Sequence, residues 1–356
     1  MLNCRPVSLA DARRIVIYRL GSIGDTVVSL PCFHRIAQFA PNAQRLVLTN
    51  TRQNPTAPSV RDVIDGSGLV HGFIDYPGGT RSITDMIGLR KVLRDLRADA
   101  LIYLTEAPTF TRAIRDKFFF SLCGFRSIIG IPLSPHLRCN LPAGGAGEVE
   151  RECFRLARCL NPLGFVDPTD ISLWDLRLTA DELNAGSLAI MAMQNKPFIA
   201  INMGGKAIEN DWGVENWQNL LARLTDRFPD HGLLVVGSKL DLERAQYVSK
   251  TWMQTVVISC GVLSPRECAA ALGGASAFVG HDSGPMHLAN AMRVPCVGLF
   301  GWRNPPGRWH PIGVNNRPIH RMAGVMTISV DEVFRAVSEL LMVQQVSEIM
   351  VSDSYC

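Results

Sequence analysis

The 356-residue chain lacks most of the signatures that assign a function on their own. No Asp-x-Asp pair occurs, so the usual carboxylate pair for a metal-bridged diphosphate is missing. The ten cysteines, at 4, 32, 123, 139, 153, 159, 260, 268, 296 and 356, include no Cys-x-x-Cys and no metal-ligand spacing. Several, such as Cys260 and Cys296, sit in apolar runs and read as buried thiols of a reducing compartment. No metal and no cofactor is expected. Aromatic residues make up only 7% and are not interleaved with basic ones, which argues against a nucleic-acid partner. No apolar run approaches the roughly 20 residues of a membrane span. Polar Asn3, Arg5 and Asp11 stand where a signal peptide needs an apolar core, so a cytoplasmic protein is expected. No short-period repeat and no low-complexity tract is present. Neither Gly-x-Gly-x-x-Gly nor a Walker loop is found.

What is present is a globular composition, 47% hydrophobic, long enough for two cores. Apolar segments recur at intervals that leave room for helices. The first half offers strands at Arg14–Leu20, Arg45–Thr49, Gly72–Tyr76, Ala100–Leu104 and Ser127–Ile131. The second offers Phe198–Met203, Gly232–Val236, Val256–Ser259, Ala277–Gly280 and Cys296–Phe300. Helical patterns fill the gaps, among them Asp85–Leu96, Trp217–Phe228, Leu242–Trp252 and Pro265–Leu272. Alternation of this kind predicts parallel sheets covered by helices, here as two doubly wound Rossmann-like α/β domains. The expected domains are residues 1–180 and 181–356. Near the joint, Leu173 to Leu178 alternates apolar and polar and predicts a short strand; Asp181–Met193 predicts a helix. Glycine-rich Pro142–Glu148 reads as a mobile loop, a surface connection before a lid. Phe118–Leu122 predicts a buried helix rather than a lipid contact.

Charge is uneven. Residues 1–170 hold 21 basic and 15 acidic side chains, an excess of +6, and the remainder holds 15 and 17, or −2. A basic first half suits an acidic acceptor or an anionic membrane surface. Arg90, Lys91, Arg94 and Arg97 contribute, though at helical spacing they also fit a solvated face.

Two loops carry chemistry. Val279-Gly280-His281-Asp282-Ser283-Gly284-Pro285-Met286-His287-Leu288-Ala289 joins a strand to a helix inside a βαβ unit. Free amides at the helix start, the Ser283 hydroxyl and Gly284, which lets backbone approach closely, suit a phosphate. The plainer reading is an ordinary Asp-Ser N-cap. The first strand runs into Gly21-Ser22-Ile23-Gly24-Asp25, and Thr26–Ile36 then reads as one helix with Pro31 in its first turns. Asp25 would stand at the carboxyl end of the first strand, where open α/β sheets bind ligands, or would merely cap the helix.

Together these loops resemble glycosyltransferase family 9, the lipopolysaccharide heptosyltransferases, in order, separation and flanking strands. The resemblance covers roughly residues 14–341. It implies a GT-B arrangement with the nucleotide-sugar site in the cleft between the domains, the donor mostly on the second and the acceptor on the first. A last helix, roughly Val330–Ile349, would follow the second domain and pack back on the first. Asp25 matches the family's base. Glu243, just past a strand's carboxyl end, matches an acid on the ribose hydroxyls; a helix-start glutamate is the competing view.

The departing diphosphate needs a cation as well as helix amides. Lys206, in the glycine turn Gly204-Gly205-Lys206, is the candidate, against a plain loop lysine. Many members carry a basic residue before a Trp-Pro, where this chain has Asn210-Asp211-Trp212-Gly213. His287 is expected to meet a phosphate or orient Asp282. Arg303 and Arg308, in a proline-stiffened loop, are expected to meet the sugar or the diphosphate. The substrate-binding set is therefore Gly21, Ser22, Gly24, Gly204, Glu243, Asp282, Ser283, Gly284, Pro285, His287, Arg303 and Arg308. Asp25 and Lys206 are the catalytic pair.

The expectation is a metal-independent, inverting transferase moving a sugar, heptose from ADP-heptose, to a lipopolysaccharide core or related surface glycan. It would act in the cytoplasm, with peripheral contact to the inner membrane. The alternatives are a UDP- or GDP-linked donor, or a catalytically silent nucleotide-sugar binder.

Overall fold

A computed structural model describes residues 11–51, 58–78, 82–145, 147–204 and 208–353. The chain forms two compact units, Met1–Arg177 and Leu178–Cys356.

The first unit runs β1 (Arg14–Tyr18), α1 (Ile23–Val27), α2 (Leu30–Phe39), β2 (Gln44–Asn50), α3 (Val60–Ile64), β3 (Gly72–Tyr76), α4 (Ile83–Asp95), β4 (Ala100–Tyr103), α5 (Phe110–Leu122), β5 (Ser127–Ile129), α6 (Pro135–Arg138) and α7 (Glu152–Cys159). Its sheet is parallel with strand order β3-β2-β1-β4-β5. Strands β1 and β4 are buried almost throughout, the pattern of central strands covered on both faces. Tyr18, Tyr103 and Phe120 pack in one core cluster with Leu93 and Leu101.

The second unit runs α8 (Ala180–Ala189), β6 (Phe198–Asn202), α9 (Val214–Arg227), β7 (Gly232–Val235), α10 (Leu242–Val248), β8 (Val256–Ile258), α11 (Pro265–Leu272), β9 (Ala277–His281), α12 (Gly284–Ala291), β10 (Cys296–Phe300), β11 (Arg317–His320) and α13 (Val330–Asp353). Its parallel order is β11-β10-β9-β6-β7-β8. Trp212 and Trp217, fully buried at 5.1 Å edge to face, anchor the core beneath α9. Val333, Val337 and Leu340 of α13 join that core, so the described part of the last helix is built into its own unit.

Each sheet reverses direction once, between β1 and β4 in the first and between β6 and β9 in the second. Connections leave to opposite sides at such a point and open a crevice beyond the carboxyl ends of the strands.

Several elements differ from the sequence reading. The helix expected over Thr26–Ile36 is two. α1 stops at Val27, Ser29 Oγ donates to Thr26 O at 2.7 Å, and Pro31 lies in the first turn of α2, where its missing N–H costs nothing. Leu173–Leu178 is not a strand. A 3-10 turn, Ile171–Trp174, is capped by Asp170, which accepts from Ser172 N at 2.9 Å. Leu173, Trp174 and Leu176 are buried, so the alternation records a segment lying over a core without a partner strand. Strand β11 was not foreseen. It is four residues long, contains Pro318, and sits at a sheet edge, the place that tolerates proline.

The Pro142–Glu148 segment is a hairpin turn, with Pro142 bridged to Val149 and Ala143 N donating to Glu148 O at 2.9 Å; Ala146 lies outside the described residues. The helix over Phe118–Leu122 is only half buried: Phe120 is in the core, while Phe118 and Leu122 are exposed. Six of the eight described cysteines are buried and Cys139 is exposed. Burial pushes the Cys153 thiol up to about 12, so it packs as a small hydrophobe.

Candidate functional site

In the first unit, Tyr18 ends β1 and the chain turns at Gly21, whose φ is +124°. Ser22 is the N-cap of α1 and Asp25 is the third residue of its first turn. Asp25 Oδ2 accepts from Ser22 N at 2.8 Å and from Ser22 Oγ at 2.9 Å, a reciprocal capping box. A Cβ on Gly21 would lie 2.5 Å from the Asp25 Cβ, so only glycine leaves room for this fold-back. Gly24 is buried inside α1. The capping reading of Asp25 is thus realised, and the carboxylate also lines a cavity.

That cavity is about 250 Å³ and is lined by Arg19, Asp25, Thr105, Glu106, Arg112 and Glu152, with Leu20, Gly21 and Pro108. It opens beyond β1 and β4, at the switch point of the sheet. Arg19 is buried, donates from Nη1 to Leu104 O at 2.7 Å, and reaches Asp25 O through Nη2. Burial lowers its pKa, and the Asp25 charge opposes that only in part. Glu152 is held by buried Arg155, whose Nε donates to both carboxylate oxygens at 3.0 Å. Burial disfavours the Arg155 charge, but Glu152 outweighs it and pushes the pKa up. A carboxylate facing a cavity can take a proton from a hydroxyl seated within hydrogen-bond reach. Nothing in the first loop alone pointed to Thr105, Glu106, Arg112 or Glu152, because they arrive from the turn after β4, from α5 and from α7.

In the second unit, β6 and β9 end side by side. Asn202 donates from Nδ2 to Val236 O at 2.9 Å, and its Oδ1 accepts from Ser283 Oγ at 2.9 Å. Ser283 is the N-cap of α12, yet its side chain makes no capping bond. Its hydroxyl is spent across the switch point instead, so the plain Asp-Ser cap is not what forms here. Gly284 and Pro285 begin α12, and Gly284 is not in the positive-φ region. Asp282 accepts from Asn304 Nδ2 at 3.1 Å and lies 3.8 Å from His287 Nε2. His287 is buried and meets the Trp309 ring edge-on at 6.1 Å. Asp282 and His287 therefore sit between α12 and the 302–311 loop.

Of that loop, Arg303 pairs with Glu209 at 3.3 Å on the surface, and the Arg308 guanidinium lies 5.2 Å over Trp309. Lys206 and Gly205 lie outside the described residues. Gly204 is described and buried. A Cβ there would meet Asp241 Oδ2 at 2.6 Å, so its smallness serves Asp241. Glu243 is exposed in the first turn of α10, whereas Asp241 is turned inward against Gly204 and Gly237.

The atypical Asn210–Gly213 segment is well held. Arg244 of α10 grips Asp211 by two bonds, Nη1 to Oδ2 at 2.8 Å and Nη2 to Oδ1 at 2.5 Å. Burial disfavours the Asp211 charge, but Arg244 and the Gly213 amide outweigh it and hold the carboxyl below its usual value. Trp212 N donates to His281 Nε2 at 3.2 Å. His281 is fully buried, and burial lowers its pKa to about 4. Sequence reasoning missed Asn202, Asp241, Arg244 and His281. Asp241 had a signal: Gly237-Ser238-Lys239-Leu240-Asp241 repeats the Gly-Ser-x-x-Asp of the first loop. Arg244 had none, since its partner is 33 residues away. Among the described residues, no group of three His, Cys, Asp or Glu side chains could hold a metal ion.

Comparison with known proteins agrees with this architecture. The family model "Glycosyltransferase family 9 (heptosyltransferase)" matches residues 89–326. The lipopolysaccharide core heptosyltransferase OpsX of Haemophilus influenzae is 20% identical over 307 residues, 84% of this chain and 82% of its own. A glycosyltransferase family 9 structure from Veillonella parvula matches with a TM-score of 0.71 at 18% identity, covering 93% of this chain and 97% of that one. The E. coli ADP-heptose lipopolysaccharide heptosyltransferase II matches with a TM-score of 0.65 at 17% identity, over 94% and 99%. The fold is that of GT-B glycosyltransferases, two Rossmann-like α/β domains. With a family match over more than half of its length, the chain belongs to glycosyltransferase family 9 and is a glycosyltransferase.

Proposed function

We propose that the chain is a metal-independent, inverting transferase that moves heptose from ADP-heptose to a lipopolysaccharide core acceptor in the cytoplasm. The observation that carries this reading is Asp25, a carboxylate on the wall of a cavity at the switch point of the first sheet. The donor and acceptor follow the activities for which the E. coli and H. influenzae relatives are named.

In this reading residues 1–180 hold the acceptor and residues 181–356 hold the donor. Asp25 takes the acceptor hydroxyl proton while the oxygen attacks the anomeric carbon. Attack opposite the leaving diphosphate inverts that carbon. Arg19, behind Asp25, anchors the loop through Asp25 O rather than by neutralising its carboxylate. Ser283, Gly284 and the free amides of α12 after Pro285 face the charge that gathers on the diphosphate, with Lys206 as its cation and Pro285, which has no N–H, shaping the turn. Asn202 fixes the Ser283 hydroxyl in place. Gly21, Ser22 and Gly24 shape the acceptor side; Gly204, Asp282 and His287 shape the donor side. Glu243 reaches the ribose, and Arg303 and Arg308 border the sugar. The lack of any Asp-x-Asp pair supports the metal-independent form.

The test is turnover against a panel of ADP-, UDP- and GDP-linked sugars, with excess EDTA present. Selective turnover of ADP-heptose is expected. Turnover of only a UDP- or GDP-sugar would replace the donor, and restoration by Mg²⁺ after loss in EDTA would end the metal-independent account.

A further inference from the structure

We infer that the face formed by α4 and α5 docks on an anionic lipid bilayer. This rests on the reading above only in that a glycolipid acceptor is met at such a surface. Helix α4 is 13 residues long, and Leu93 is its one buried side chain. A helix lying on a sheet ordinarily buries a stripe at least about 100° wide. Here Leu89 is partly buried beside Leu93, while Ile83 and Ile87 are 76% and 59% exposed and Met86 is exposed beside them. Helix α5 buries Ala113, Asp116 and Phe120 and exposes Phe110, Ile114, Phe118 and Leu122. Those four recur every fourth residue and so share one face.

The two helices form one patch. α4 joins β3 to β4 and α5 joins β4 to β5, all parallel and advancing in one direction across the sheet. Right-handed crossovers then place both helices on the same side, running the same way. Arg90 Nε donates to Leu122 O at 2.9 Å, setting the middle of α4 against the end of α5. Because the helices run the same way, the helix period puts Met86 and Ile87 one turn back from that contact on α4 and Phe118 one turn back on α5. A further turn by the same period reaches Ile83 and Ile114.

Charge selects the occupant. Residues 83–97 and 110–126 carry eight basic and three acidic side chains, nearly all of the first half's excess. One of the three acids, Asp116, is buried beneath Tyr103 and Arg115. A second copy of the chain would bring the same positive charge against this face. An anionic bilayer offers apolar depth and negative headgroups together.

Vesicle co-sedimentation of the full chain tests the inference. The wild type should sediment with vesicles of phosphatidylglycerol and phosphatidylethanolamine, less so in high salt, and poorly with phosphatidylcholine alone. Ile87→Asp with Phe118→Asp, both at well-exposed positions, should abolish most of the binding. Arg90→Glu and Lys91→Glu should each weaken it by roughly fivefold or more. Equal binding to neutral vesicles, or unchanged binding by the aspartate variant, overturns the inference. So does a wild-type dimer that this variant converts to monomer. Turnover of a water-soluble, lipid-free acceptor should be unchanged in all these variants. If the wild type binds vesicles but transfers to no soluble acceptor, the proposed reaction fails and the docking face stands.

Discussion

The two units contain the same corner. In each, an interior strand runs into Gly-Ser-x-x-Asp: Gly21 to Asp25 after β1, and Gly237 to Asp241 after β7. The local geometry is nearly identical. Asp25 accepts from the Ser22 amide and hydroxyl at 2.8 and 2.9 Å, and Asp241 from those of Ser238 at 2.7 Å each. In each, the carboxylate presses on a glycine too closely for any Cβ. The surroundings differ. Asp25 faces a cavity with other charged groups, at the strand where the first sheet reverses. Asp241 leans on Gly204 and Gly237, beside the reversal of the second sheet rather than on it. A capping box alone therefore does not tell the two acids apart. The neighbours supplied by the sheet topology decide.

The comparison breaks most sharply on the acids themselves. Asp25→Asn should lower kcat by about 10²-fold or more, the range for a lost general base, with nucleoside-diphosphate affinity unchanged. Asp241→Asn should leave kcat within a few-fold and act on stability or donor binding. Equal losses of kcat in purified, folded variants would mean that capping alone explains both.

Acid should affect the second corner's neighbourhood through His281. Its folded pKa, about 4, lies below the unfolded value, so the unfolded chain binds the extra proton first. The contribution of the neutral ring is complete above about pH 6.5 and is lost as pH falls towards 4. Between pH 6.5 and 4.5 this amounts to about 2–3 kcal/mol. Urea titrations should show that slope in wild type and a shallower one in His281→Gln. Parallel slopes would remove His281 from the account.

Gly284→Val should block approach to the start of α12, and Lys206→Ala should remove a charge. Each is expected to weaken nucleoside-diphosphate binding by about 1–3 kcal/mol. Only the lysine variant should flatten the salt dependence, as calorimetry at two ionic strengths would record. Wild-type affinity of Lys206→Ala at both salts would pass the cation's role to Arg303 or Arg308.

The smallest effect is the most direct check on the corners. Ser22→Ala and Ser238→Ala should each cost about 1 kcal/mol of stability, the ordinary value of a lost cap. Only Ser22→Ala should also change turnover, because it frees Asp25 to swing. Matching kinetics for the two would erase the distinction.

The sequence by itself determined ten of the eleven described strands and the class of fold. Ile15 to Tyr18, Phe198 to Asn202 and Cys296 to Phe300 are runs too apolar to lie anywhere but inside a covered parallel sheet, and their spacing leaves room only for helices between. It also exposed both loops, because glycine, serine and aspartate at a strand end are local signals. Boundaries of weak periodicity were not legible: Ser29 splits one helix into two, and Leu173 to Leu178 alternates without a partner. Tertiary structure alone decided which residues share a site. Asn202 meets Ser283 across 81 residues, Arg244 takes Asp211 across 33, and Glu152 reaches the Asp25 cavity from α7. Each of these meetings follows from the order of the strands, a long-range property that no local pattern of residues encodes.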